Sequence, residues 1–582
     1  MKLRLRSGIL IAVLAAAAIA LALAYTFWPK RPKVEMPQYA PASALIYVEV
    51  KDVPDLLNGL TSTTAWKQLA PALGLSSQLN YLGDIGSFSA ATGLGSQEAV
   101  VLARAQIALV VTSIEAKGEE VTPRIALIVK THSNKEQATA IADRRVAALA
   151  KSKYGPDAPR AQSEYAGAQV VTYTKPGTNR QMIYAVVDDL IILGNDSTSI
   201  FSCIDTALHR AGSLGENPDL KKTRDNLGAD PIIFAFVSSS GLARLTQFGA
   251  YIFSQGRIIP DEISGGVDKI ASDISNGTMG GIGYSASFEN GLVVDRYLAA
   301  LKPDVSAKLS SQVKAGEGDL EILKIVPPGV SFTVMNVQQP SQTLDSVMAT
   351  VSARVNVVTS AALRSLVILL SSEKFGLDPN HPIGASLGGE IGVLTWPGES
   401  DPALAIEIND QAVVAPVLRR YLQGNPKHPA FVQDEKYQGM QFFTAEDRAG
   451  AFLGRFVILA GKEQLKRLID NWKANKSISN DPAIKNRIES RPAQTLMQSY
   501  EPNQHDAGLL MIETAALLRV GDGSPETLNR PEVQAAIKNI PPLVSFTTLR
   551  EAGFYTESRS AFGRFSLFSL VSNQSDQPGQ SD

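Results

Sequence analysis

A single cysteine, Cys203, stands among 582 residues. One thiol cannot form an intramolecular disulfide, and it cannot supply a multi-cysteine zinc or iron–sulfur centre. Histidine is almost as scarce. The five residues His132, His209, His381, His428 and His505 are scattered, with no H-E-x-x-H and no close pair, so no metal-ligand spacing exists. An excess of either charge is also missing: 55 Lys and Arg face 57 Asp and Glu, a net charge of −2. No broad basic face for nucleic acid follows from that balance. Hydrophobic residues make up 44% and charged residues 19%, a globular composition slightly poor in charge. The length allows about two to four domains, each able to bury a core.

Phosphate chemistry lacks its loop. Gly277, Gly280, Gly281 and Gly283 cluster, but the segment runs on as a strand where a dinucleotide cradle needs a helix. Gly461-Lys462 has no glycine five positions earlier, as a Walker loop requires. The acidic pairs Asp188-Asp189 and Glu119-Glu120 read as solvated turns. Cys203 shares a helical face with Ile200, Ile204, Ala207 and Leu208, which makes it a core residue in preference to a reactive thiol. Asn195-Asp196-Ser197 fits a glycosylation acceptor and, better, a helix N-cap. No cofactor and no metal is expected.

One catalytic pattern is present. Gly384-Ala385-Ser386-Leu387-Gly388 matches the G-x-S-x-G elbow, which exposes a nucleophilic serine on a strained turn between a strand and a helix. Here a loop, Asp378 to Pro382, precedes Ser386 and a strand-like run, Gly389 to Trp396, follows. Ser386 is therefore a weak candidate, with His428 and His505 downstream as conceivable bases.

What the chain does have is a repeat. Tyr165-Ala166-Gly167-Ala168-Gln169-Val170-Val171-Thr172 returns as Tyr437-Gln438-Gly439-Met440-Gln441-Phe442-Phe443-Thr444, roughly 270 residues later. Apolar runs precede both strings (Ile125 to Val129, Leu404 to Ile408) and follow them (Tyr184 to Gly194, Ala451 to Ala460). An amphipathic helix and an Asn/Asp/Pro stop complete each copy. The glycine with alternating neighbours predicts a bend or bulge at the entry to a strand, a fold-determining role in preference to a ligand-binding one.

The amino terminus carries the second strong signal. Gly8 to Trp28 holds 21 residues without a charge, enough to cross about 30 Å of hydrocarbon as a helix. Lys2, Arg4 and Arg6 precede it and Phe27-Trp28 close it. Cleavage of a signal peptide near Ala24 is the rival reading. No cysteine near the end of this segment is available for lipid attachment. Basic residues nearly balance across the segment, and the cost of translocating the basic tail favours an extracytoplasmic body.

These features predict an α+β fold: two tandem homologous copies with mainly antiparallel sheets and packed helices, preceded by one transmembrane helix. The expected divisions are a cytoplasmic tail (1–7), the anchor (8–28), a Pro-rich spacer (29–40), copy 1 (41–302), a polar connector (303–326), copy 2 (327–570) and a disordered tail (571–582). Within copy 1, Asn134 to Lys151 predicts a helix with Ala138, Ile141, Ala142, Val146 and Leu149 inward. Strands are predicted at 44–50, 107–111, 124–131, 168–174, 181–187, 190–194, 232–237, 280–288 and 291–301. Copy 2 repeats the pattern, with Leu465, Leu468, Ile469 and Trp472 as its matching helical stripe.

The anchor, the spacer and Pro41-Ala42-Ser43-Ala44-Leu45-Ile46-Tyr47-Val48-Glu49-Val50, together with Asp188-Asp189-Leu190-Ile191-Ile192-Leu193-Gly194 before an amphipathic helix, resemble an uncharacterised bacterial family of membrane-anchored envelope proteins, a domain of unknown function (3352 type). The resemblance implies a bacterial envelope location and carries no functional residue.

The sequence thus reads as an envelope-anchored, non-enzymatic binding or scaffolding protein in the inner membrane. Its body would lie outside the cytoplasm, or be secreted if cleaved near Ala24. Its expected partners are the membrane, through residues 8–28, and an envelope protein or lipid-like ligand held in a cleft between the copies. A serine hydrolase using Ser386 and an assembly factor for an envelope complex are the alternatives.

Overall fold

The computed structural model describes residues 33–73, 95, 98, 101, 104–117, 120–228, 230–245, 272–355, 357, 359–361, 383–399, 401–424, 429–502, 527 and 529–563. The apolar segment 8–28, the tail 571–582, His381, His428 and His505 lie outside these residues. Among the described residues no helix is long and apolar enough to cross a membrane.

Runs rich in β-branched and aromatic residues form the strands. The first half contains β1 (Ile46–Val50), β2 (Gln106–Lys117), β3 (Glu120–Lys130), β4 (Arg160–Tyr165), β5 (Ala168–Thr174), β6 (Gln181–Val187), β7 (Leu190–Gly194), β8 (Ile233–Ser238), β9 (Met279–Glu289) and β10 (Leu292–Leu301). The second contains β11 (Ser331–Asn336), β12 (Leu387–Thr395), β13 (Ala403–Ile408), β14 (Gln433–Tyr437), β15 (Met440–Ala445), β16 (Arg448–Leu453), β17 (Phe456–Gly461), β18 (Thr495–Glu501), β19 (Leu543–Arg550) and β20 (Gly553–Ser560).

Their pairings, all antiparallel, give one linear order: β4-β5-β6-β7-β3-β2-β1-β8-β9-β10-β20-β19-β18-β11-β12-β13-β17-β16-β15-β14. This corrects the expected fold. The two copies do not have sheets of their own; they form a single 20-stranded sheet, whose first described elements are the 3-10 turn Met36–Tyr39 and β1, and the expected transmembrane helix falls outside the described residues. The physical reason lies at β10 and β20. Each is the last strand of its half and presents an unpaired row of N–H and C=O groups, and the two rows satisfy each other.

The second half of the order mirrors the first, and the mirror runs through this seam. Hairpin pairing sets Leu292 opposite Glu289 and Gly553 opposite Arg550, so Arg296 and Glu557 hold the same position in the two halves. In the β10–β20 ladder Arg296 and Glu557 face each other directly. A pseudo-twofold axis therefore passes between an arginine and a glutamate. Equal residues there would be like charges in contact.

Helices pack against the sheet in both halves. In the first half they are α1 (Val53–Ser62), α2 (Thr64–Ala72), α3 (Lys135–Tyr154), α4 (Ser197–Ala207) and α5 (Pro218–Asn226). α3 is opened by the Asn134 side chain, which accepts from the Gln137 N–H at 2.9 Å. It buries Ala138, Ile141, Ala142, Val146 and Ala150 against Val171, Tyr184, Val186 and Ile191. The expected Leu149 points outward and is 40% exposed, because the stripe drifts by one residue to Ala150 over the helix length. α4 packs against β3, β6 and β7, burying Ile200, Cys203 and Ile204. Covered on both faces, β6 keeps an unbroken apolar run from Ile183 to Val187.

The second half repeats this with α8 (Gln411–Gln423) and α9 (Lys462–Lys473), preceded in the chain by α6 (Pro303–Gln312) and α7 (Pro340–Ser352) and followed by α10 (Pro482–Glu489) and α11 (Pro531–Lys538). α8 buries Val414, Leu418 and Leu422 with Phe443 and Val457, while α9 buries Leu465, Leu468 and Ile469 with Phe442 and Ile458.

Residues 303–326 are not a simple polar connector. Val305, Leu309, Val313 and Ala315 form a core with Leu301, Val337 and Leu496, and Leu320, Ile322, Leu323, Ile325 and Val326 enter the core of the second half. Across the seam α2 packs on α11, and Thr359 Oγ1 donates to Asp273 Oδ2 at 2.6 Å.

Candidate functional site

The repeated Tyr-x-Gly string becomes the turn of the outermost hairpin at each end of the sheet. Tyr165 pairs with Ala168 and Tyr437 with Met440, leaving two-residue turns. Both central residues have positive φ: Ala166 +56° and Gly167 +85°, Gln438 +46° and Gly439 +77°. That is the demand of a type I′ turn, so the expected bend or bulge is a tight hairpin. The tyrosine then explains itself. Tyr165 Oη donates to Asp205 Oδ2 of α4 at 2.8 Å, and Tyr437 Oη donates to Asp470 Oδ2 of α9 at 3.1 Å. Each bond ties an end hairpin to its helix, and the carboxylate acceptor raises the phenol above its ordinary range. The string is an anchor of the fold at both sheet edges. Those edges, β4 and β14, carry Arg160, Glu164, Asp434, Glu435 and Lys436, charges that discourage further strand pairing.

Ser386 ends a 3-10 turn, Ile383–Ser386, and β12 follows at once. The elbow requires a strand before the serine and a helix after it; the elements here stand in the other order. The Ser386 carbonyl accepts from the Asn409 N–H at 2.8 Å, which ties the turn to β13. His132 Nε2 shares a hydrogen bond with Gln106 Oε1 at 2.9 Å, and His209 sits beyond α4 with φ +56°. Cys203 is fully buried, and burial pushes its thiol up to about 12. Asp196 caps α4, while Asn195 binds Pro123 and Ile125 of β3 through its side chain. Among the described residues no group of three His, Cys, Asp or Glu could hold a metal ion.

The seam between the halves is ladder hydrogen bonds, not the cleft anticipated there. What the structure places on one surface instead is a cross-strand row. Directly opposed residues of an antiparallel sheet point to the same face. In the first half the pairings run Leu127, Leu109, Val48, Ala235, Tyr284. Tyr297, Thr556 and Thr547 carry the row across the seam, and Met497, Met335, Ile391 and Ile406 continue it. The row thus crosses twelve strands on one side of the sheet.

On the opposite side the same strands bury Tyr47, Phe234, Phe236, Phe332 and Val334 completely or nearly so. On this side Met335, Met497 and Val393 are each more than a third exposed and Val48, Leu109, Leu127, Ile391 and Ile406 are half-buried, whereas near the seam Thr547, Ser545, Asp295 and Ser558 are buried. Single exposed apolar residues are ordinary; a contiguous group of them marks a contact surface. Local patterning shows that each of these strands alternates, yet it cannot show which alternate faces coincide.

No family model matches this chain, and no curated protein matches it. The solved structure of TP0453 in crystal form I is similar over 44% of this chain and 86% of its own, at 11% identity and a TM-score of 0.23. A likeness at that level fixes neither fold nor function.

Proposed function

We propose that this chain is a non-enzymatic binding protein held at the bacterial envelope by its apolar segment 8–28, and that its open sheet face takes an apolar, lipid-like ligand. The carrying observation is the exposed apolar group in the second half, Met335 and Met497 in the row with Val393 beside them on the same face. Methionine suits that task, since its flexible, polarisable side chain adapts to acyl chains of varied shape. Hydroxyls of Thr547 and Thr556, hydrogen-bonded to each other at 2.8 Å, give the row a polar station beside the apolar one. The envelope placement rests on the apolar segment and on the family resemblance described above.

The test is photocrosslinking of the full chain, solubilised in detergent, with a diazirine-bearing fatty acid, followed by peptide mapping. Adducts are expected on β11, β12 and β18. Each exposed methionine contributes about 1.5 kcal/mol to an apolar contact, so Met335→Lys with Met497→Lys should cut labelling tenfold or more. Adducts confined to other surfaces, or labelling unchanged in the double variant, would defeat the proposal.

A further inference from the structure

Cations gather at one corner of the sheet, where α3 ends and β4, β5 and β6 meet. Tyr173 of β5 belongs to the core beneath α3, and Arg160 stands directly opposite it on β4, so Arg160 emerges on the α3 side. Lys175 lies two residues beyond Tyr173 and shares that side. Its N–H donates to the Arg180 carbonyl at 2.9 Å, and Thr174 pairs with Gln181, so Arg180 stands across from Lys175. The last turn of α3 adds Lys151 and Lys153, held to the same side by Tyr154, which packs on this core with Met182. Lys151, Lys153, Arg160 and Arg180 are exposed.

These charges are poorly balanced. Arg160 lies 4.0 Å from Asp143, an acid it shares with the Tyr184 hydroxyl, whereas Lys151, Lys153, Lys175 and Arg180 enter no ion pair among the described residues. The loop between α3 and β4 supplies a further acid, Asp157. Cations at a helix C-terminus complement its dipole, which accounts for Lys151 and Lys153 but not for Lys175 and Arg180. Nor does the fold require them. In the second half the matching corner lies at the end of α8. There Arg419 pairs with Asp434 at 2.8 Å, and the turn between β15 and β16 is Glu446-Asp447 where the first half has Lys175 to Arg180. Leu149, 40% exposed, stands one turn before Lys153, an apolar side chain beside the cations. The chain enters the sheet at the opposite strand ends. Tyr39 lies 5.2 Å from the Lys130 ammonium, and Lys130 pairs with Leu190, whereas the corner lies at the Gln181 end of β6. The corner is thus remote from the point of entry.

We propose that this corner docks on an anionic lipid surface, with Lys151, Lys153, Lys175 and Arg180 against phosphate headgroups and Leu149 at the acyl boundary. Basic residues around an exposed apolar side chain are what an interfacial contact needs. Each Lys or Arg close to an anionic leaflet raises binding about fivefold, and the attraction fades beyond a Debye length. A surface of spread headgroups suits long, separately mounted cations, whereas a single small anion needs its donors already converged. The choice of a lipid surface over another polyanion rests on the envelope placement proposed above; the sheet face takes no part in it.

The experiment reconstitutes the full chain through its apolar segment into phosphatidylcholine vesicles and measures capture of a second, fluorescent vesicle population. Vesicles containing phosphatidylglycerol are expected to be captured at low salt and released at high salt, and pure phosphatidylcholine vesicles are not. Lys151→Gln with Lys153→Gln and Arg180→Gln should lower capture at least tenfold. Lys308→Gln with Lys473→Gln and Lys476→Gln, an equal change of charge on other surfaces, should leave it unchanged. All six positions are exposed, so the fold is retained, and a thermal melt verifies it. Photolabelling of the sheet face and vesicle capture are separate readouts, so failure of the one reading is distinguished from failure of the other. No capture, equal capture of uncharged vesicles, indifference to salt, an unaltered corner variant or an equal loss in the control variant each overturns the proposal. Binding of a polyglutamate peptide without capture of anionic vesicles assigns the corner to an acidic protein and likewise overturns it.

Discussion

The seam between β10 and β20 makes a quantitative demand. Arg296 pairs with Glu289 at 2.6 Å and lies 3.4 Å from Glu557; Arg559 lies 2.9 Å from Glu557 and 3.4 Å from Glu289. Side-chain exposure in this quartet runs from 18% for Arg296 to 41% for Arg559, between the surface and buried extremes. Exposed pairs contribute up to about 1 kcal/mol, and breaking a buried pair costs about 3 to 5. Arg296→Met, which strips two carboxylates of one shared partner, should therefore destabilise by about 2 kcal/mol after allowance for solvent screening. Glu557→Gln should cost about 1 kcal/mol. Glu557→Arg should cost clearly more than Glu557→Gln, because it sets two arginines face to face on the pseudo-twofold axis.

The pH dependence has a defined sign. The hydrogen bond from Arg296 holds the Glu289 carboxyl below its ordinary value. A depressed carboxyl stabilises above its unfolded value, about 4.3, and that contribution fades as pH falls through the folded value. The Arg296→Met deficit should be complete at pH 7 and smaller near pH 3. Urea unfolding followed by tryptophan fluorescence reads this, with buried Trp66 in one half and buried Trp396 in the other as reporters. If Glu557→Arg proves no less stable than Glu557→Gln, or the Arg296→Met deficit is the same at both pH values, the charged pair on the axis does not exist as described.

Two further outcomes are expected from the same geometry. Tyr165→Phe and Tyr437→Phe each remove one bond to a carboxylate and should each lower the urea midpoint, additively because they lie at opposite ends of the sheet; unchanged midpoints would contradict the anchoring role. Cys203 should resist a thiol reagent such as Ellman's in the native protein at pH 8 and react fully in urea, since burial both raises its thiol to about 12 and blocks access; rapid native labelling would contradict that placement.

Local structure was legible where the pattern is local. The hairpin over Val187 to Leu190 follows from two apolar runs around Asp188-Asp189, and Asp188 adopts the positive φ that such a turn needs. The stripe of α9 stands in the sequence at helical spacing, and Leu465, Leu468 and Ile469 are buried as it requires. Strand β4 was missed because Arg160-Ala161-Gln162-Ser163-Glu164-Tyr165 is an edge strand with five exposed positions, so no apolar alternation betrays it. The exposed group around Met335 and Met497 was invisible for another reason: it is assembled by pairing of β11, β12 and β18, which are far apart in the chain, and no motif spans them.

By itself the sequence determined that the chain says one thing twice, because a repeated order of turns, strands and caps is written in residue types at fixed spacing. It also determined the absence of disulfide and multi-cysteine metal chemistry, since one cysteine can do neither. Only the tertiary structure decided that the two statements form a single sheet. Strand edges carry no sequence-specific label: backbone N–H and C=O groups are the same in every residue, so the partner of a last strand is settled by which other edge the fold brings beside it. For β10 that edge is β20, and the arginine and glutamate on their common axis let two equivalent strands meet without like charges in contact.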